Sequence, residues 1–141
     1  MERQPEIEIY VRGCPTERLL AWLESVVGPL APAETAGAAT VYPSRIGPVV
    51  VTPGIEDGPF VGVWFNSPDS PWATDVDCAR QAAEELGCVV RSCPRQHFPE
   101  VPWWASDQFL EIAGGVEHIV TWECGERGAT ADGGRDVGSS R

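Results

Sequence analysis

The chain has 141 residues, 43% of them hydrophobic, and 21 acidic against 10 basic residues give a net charge of -11. That length suits one domain able to hide roughly 68–70% of its unfolded surface, and the composition is that of neither a membrane protein nor a wholly disordered one. The acidic balance repels phosphate backbones and excludes nucleic acid as the expected partner, while no run approaches the ~18 apolar residues of a membrane span.

The opening residues Met1-Glu2-Arg3-Gln4-Pro5-Glu6 lack the basic start and apolar centre of a signal peptide, so the expected address is the cytoplasm. Five cysteines (Cys14, Cys78, Cys88, Cys93 and Cys124), an odd number without an export signal, read as free thiols. Ile7, Ile9 and Val11 alternate with Glu6, Glu8, Tyr10 and Arg12, the period of a half-buried strand. After the turn Gly13-Cys14-Pro15-Thr16, the stripe Leu19, Leu20, Leu23, Val26 and Val27 predicts a helix, with Trp22 at its edge and Gly28-Pro29 as its stop. Residues 31–39 show no period and read as a loop. Thr40-Val41-Tyr42 and Val49-Val50-Val51-Thr52 predict short strands, the second joined to the next element as a hairpin.

Phe60-Val61-Gly62-Val63-Trp64-Phe65 is apolar on both sides and predicts a central strand covered on both faces. A second helix follows, starting at Ser70-Pro71 or at Thr74, with Trp72, Val76, Ala79, Ala83 and Leu86 as its core stripe. Gly87 ends it and Cys88-Val89-Val90-Arg91 is the next strand. Ser92 to Ser106 carries Pro94, Pro99 and Pro102 with His97, Phe98, Trp103 and Trp104; loops this long in a compact domain are often functional. Gln108–Ile112 and Val116–Trp122 flank Ala113-Gly114-Gly115 as a hairpin. The domain is therefore expected over residues 1–124, followed by a disordered Gly/Ser-rich tail over 125–141, which has one large apolar residue, Val137.

Candidate chemistry is sparse. Cys88, Cys93 and His97 lack the close cysteine pairs of a structural zinc site, so no metal or other cofactor is expected. Cys93 with His97 or His118 is the nearest approach to a nucleophile pair, helped by Arg91 and Arg95 beside it. Glu111 and Glu117 are expected to face each other across the last hairpin. Six Trp residues are the strongest signal, since aromatic side chains favour both cores and binding hot spots. Two helices cover only one face of a sheet, so the other face of the Phe60 strand needs the Pro94–Trp104 loop, a second copy of the chain, or a partner.

The element order fits an α+β two-layer sandwich, with a ferredoxin-like β-α-β-β-α-β core and an added C-terminal hairpin. An alternative parsing divides it into two β-α-β-β-β halves, from Ile7 and from Phe60. That order resembles the vicinal-oxygen-chelate family of glyoxalases and bleomycin-resistance proteins. The resemblance implies His and Glu metal ligands on particular strands; Glu8, Glu111, Glu117 and His118 are the residues here that could take part, and a metal-free ligand binder is the form that fits better. The expected function is a small acidic non-catalytic binding protein for a basic protein partner, similar in size and charge to bacterial immunity proteins. Its expected contacts are Glu8, Tyr10, Arg12, Trp103 and Trp104, with no catalytic set. The alternative is a small-ligand binder or enzyme with a pocket under the 94–104 loop, using Cys93, His97 and Glu111. A homodimer through the uncovered sheet face is the third reading.

Overall fold

The structure, a computed structural model, describes residues 2–56, 58–102 and 104–122. Trp103, Cys124 and the expected tail over 125–141 lie outside the described residues. The elements in chain order are β1 (Ile7–Arg12), α1 (Thr16–Val27), β2 (Glu34–Ala36), β3 (Ala39–Ser44), β4 (Gly47–Ile55), β5 (Phe60–Phe65), α2 (Asp75–Leu86), β6 (Val89–Ser92), β7 (Gln108–Ala113) and β8 (Val116–Thr121). The protein is α+β: the described residues form one eight-stranded sheet, ordered β2-β3-β4-β5-β1-β6-β7-β8 and antiparallel throughout, with two α-helices. Among the described residues no helix is long and apolar enough to cross a membrane.

Strand alternation decides what faces the helices. On β1, Ile7, Ile9 and Val11 are fully buried, and their register partners Phe65, Val63 and Val61 share their face. Val49 and Val51 on β4, Val90 on β6, and Leu110 and Ile112 on β7 extend that layer. Leu19, Trp22, Leu23 and Val27 of α1 and Val76, Ala79, Ala82 and Leu86 of α2 close it into one cluster. Trp22 stacks on Trp72 at 5.9 Å between ring centroids, and its indole N–H donates to Glu85 at 2.8 Å. Burial of the ring and partnering of the polar tip are both satisfied.

Two local expectations give way. Helix α2 starts at Asp75: Thr74 is its cap, accepting from the Asp77 amide at 3.1 Å. The earlier Ser-Pro start fails because the Ser70 hydroxyl, itself buried, donates to the Trp72 carbonyl instead. Residues 34–36, which have no strand period, pair with β3 as an exposed edge strand; backbone pairing through the tight turn at Gly37 (φ 64) supplies what side chains do not. The element order of two β-α-β-β-β halves is present, but the pairing does not repeat. The strand after the helix is outermost in the first half (β2) and innermost in the second (β6), and β1 sits between β5 and β6. The halves interlock around one core.

Candidate functional site

The second face of the sheet carries Glu8, Tyr10 and Arg12 from β1, register partners of Trp64, Gly62 and Phe60 on β5. Its cover comes from within the chain. Phe60 is only 4% exposed, with the Trp122 ring 5.0 Å away. Tyr10 meets Phe109 at 5.9 Å and Trp122 at 5.1 Å, both edge-on, the arrangement ring quadrupoles favour. The Arg91 guanidinium lies 4.6 Å from the Phe60 centroid and 4.9 Å from that of Trp122, within cation–π range. At Gly62 a side chain would meet Ile55 Cδ1 at 3.3 Å. Ile55 reaches this position because β4 shifts register between Thr52 and Ile55. Glycine leaves room there for Ile55 to lie over the strand.

The 94–104 loop contributes less of this cover than its aromatics suggested. Phe98 packs against the helix-side core, His97 Nε2 lies 3.1 Å from the Thr74 hydroxyl and 3.7 Å from an Asp77 carboxylate oxygen, and Trp104 is 67% exposed. Among the described residues of the loop, Arg95 lines the cavity on the second face, beside Cys93 just before the loop.

There the aromatic cover stops and a cavity of about 200 Å³ opens, lined by Gln4, Glu6, Glu8, Tyr10, Asp75, Cys93, Arg95 and Phe109. Strand alternation aims Glu6, Glu8 and Tyr10 at it. Asp75 arrives from the first turn of α2. Its carboxylate accepts the Glu8 amide at 2.9 Å, and its own amide donates to the Gln4 side chain at 2.9 Å. These bonds sew the start of β1 to the start of α2. Asp75 is 7% exposed, and burial pushes its carboxyl above the ordinary value against the pull of the Glu8 amide, Gln4 and Arg95. Arg95 holds φ at 28, a left-handed conformation that residues with side chains rarely adopt and that recurs at functional sites.

The structure brings Glu8, Tyr10 and Cys93 to this cavity. Arg12 lies further along β1, 5.6 Å from the Phe60 ring. His97 packs from the loop against the first turn of α2, and Glu111 is paired with Arg91 at 2.8 Å, with His118 at 3.6 Å from its other oxygen. Cys93, His97 and Glu111 therefore do not line one pocket. The Cys93 thiol is pushed up, chiefly by burial, with Arg95 opposing; a thiol so held is a poor nucleophile at neutral pH. Among the described residues no group of three or more His, Cys, Asp or Glu could hold a metal ion.

Glu111 and Glu117 do not face each other. Glu111 is opposite His118, and Glu117 is opposite Ile112 on the other side of the sheet, paired with Arg80 through two bonds of 2.8 and 3.0 Å. A one-residue difference in register moves a side chain to the opposite face. The residues that sequence reasoning missed are Gln4, Glu6, Asp75, Arg95 and Phe109. Alternation signals Glu6 and Phe109. Nothing local signals that Asp75, an ordinary acid in a helix first turn, is buried against a strand 67 positions earlier. No family model, curated protein or solved structure matches the chain.

Proposed function

We propose that this is a non-catalytic binding protein that takes a basic side chain of a protein partner into the cavity at the start of β1. The supporting observation is the lining: three carboxylates (Glu6, Glu8 and Asp75) against one guanidinium (Arg95), beside Tyr10 and Phe109. Carboxylates give a guanidinium or ammonium charge-assisted bonds, and aromatic walls add cation–π attraction. At about 200 Å³ the cavity is smaller than the roughly 300–1,000 Å³ typical of small-molecule sites, which favours one inserted side chain over a cofactor. The net charge of -11 would speed encounter with a basic surface. An immunity-like role, neutralising a basic partner, is the form of this function most in keeping with size and charge.

The fold proposed for this role is a ferredoxin-like core made of β1, α1, β4, β5, α2 and β6. The strand order β4-β5-β1-β6 supports it, with β2 and β3 as an insertion and β7 and β8 as the added hairpin.

A hexa-arginine peptide, titrated while tyrosine and tryptophan fluorescence is followed, tests the site. Glu8→Gln should weaken binding by about tenfold, the size of one charge-assisted contact, while Glu24→Gln on the exposed side of α1 should not. Equal weakening by both would mean diffuse charge attraction and overturn the cavity as the site.

A further inference from the structure

The β1–β6 register ends at Arg12 opposite Val89, so the turn after β1 and the turn before β6 lie together at the end of the sheet away from the cavity. Cys14 stands in the first turn and Cys88 in the second. The Cys88 thiol lies 3.6 Å from the Gly13 carbonyl and 3.5 Å from that of Leu86. The Cys14 thiol lies 3.6 Å from the Pro15 carbonyl, so the contact of Cys88 with Gly13 sets its thiol against the residue next to Cys14. Both are partly exposed, whereas Cys78 is fully buried and Cys93 sits at the other end of β6. No catalytic or binding role described above uses either thiol.

We propose that Cys14 and Cys88 form a redox-responsive pair, closing to an intrachain disulfide that staples the β1–α1 turn to the α2–β6 turn. The oxidant is a low-molecular-weight disulfide such as oxidised glutathione. One protein thiolate attacks it, forming a mixed disulfide and expelling one glutathione thiolate, which takes up a proton. The second protein thiolate attacks the mixed disulfide at the protein sulfur and expels the second glutathione. Two protein thiols are oxidised and one glutathione disulfide is reduced to two thiols. Burial and the neighbouring Cys88 push the Cys14 thiol up to about 11, so exchange is slow at neutral pH and quickens as pH rises. The bond would span 74 positions of sequence, and constraining so long a loop restricts the unfolded chain strongly.

The test equilibrates the full chain with excess oxidised glutathione at pH 8. The expected product is about 2 Da lighter, yields a cross-linked Cys14–Cys88 peptide, and melts roughly 5–15 °C higher than the reduced protein. Cys14→Ser and Cys88→Ser should each abolish the cross-link, while Cys93→Ser and Cys124→Ser should retain it. Glutathione adducts without an internal bond, or a bond mapping to Cys93 or Cys124, would overturn the proposal. Because the measurement is made on the unaltered chain, a variant that folds poorly does not remove it.

Discussion

The two faces of the sheet bury apolar residues by different means. The helix side is mainly aliphatic, with Trp22, Trp72 and Phe65 set among the aliphatic residues, and is sealed by two amphipathic stripes around fully buried Ile7, Ile9, Leu23, Val63 and Phe65. The second side is closed by rings set edge to edge, with Arg91 over two of them. Helices cover a face continuously because their side chains interdigitate along several turns. Four rings and a guanidinium cover only the width they span. Where they end, near the start of β1, backbone and carboxylates border an open cavity. A strand that is apolar on both faces can thus find its second cover in its own chain, with a cavity left at the edge of that cover.

The largest contrast is a matched pair of truncations. Phe65→Ala should cost about 4 kcal/mol, the range for a large buried aromatic. Trp122→Ala should cost about 2 kcal/mol, since its half-buried ring loses edge contacts and a cation–π partner. Urea unfolding measures both. Equal costs would make the faces equivalent cores; a Trp122 cost near zero would mean that the rings meet without covering anything.

A smaller effect separates binding from stability. Asp75 is held above its ordinary value by burial, so the folded protein binds its proton more readily than the unfolded chain. The cost of keeping it ionised is full at neutral pH, shrinks as pH falls through the raised value, and vanishes below the unfolded value. Asp75→Asn keeps an acceptor for the Glu8 amide without the charge. It should be as stable as the native chain or more so at pH 7, by about 1 kcal/mol, with the difference closing toward pH 4. Urea midpoints across that range check it. A variant markedly less stable at pH 7 would show that the charge itself holds the start of β1 to α2. Glu117 runs the opposite way: Arg80 holds its carboxyl below the ordinary value, so its contribution is present at neutral pH and is lost on acidification. Arg80 and Glu117 are both partly exposed, and salt should weaken that contribution.

The smallest expected effect is at Trp104. With 67% of its surface exposed, Trp104→Ala should change stability by less than about 0.5 kcal/mol. A larger loss would give the 94–104 loop a share in the cover after all.

Periodicity carried most of the secondary structure. Alternation in Ile7–Arg12, the stripes of both helices and the Gly114-Gly115 turn each depend on neighbours within a few residues, so the chain states them directly. The doubly apolar Phe60–Phe65 strand likewise announced that its second face needed a cover. What provides the cover was not legible. It requires Ile55 thrown over Gly62 by a register shift, and Trp122 brought from the far end of the described chain onto Phe60. The separation of Glu111 from Glu117 also depends on register, which a turn sequence constrains and packing decides. The cavity is further still from local reading: its acids come from around the start of β1 and from the first turn of α2, and burial of Asp75 exists only where those two meet. Local sequence therefore determined which side chains stand on which face of each strand and helix. Strand order and register, set by how those faces could be buried together, decided which of them became core, cover or cavity wall.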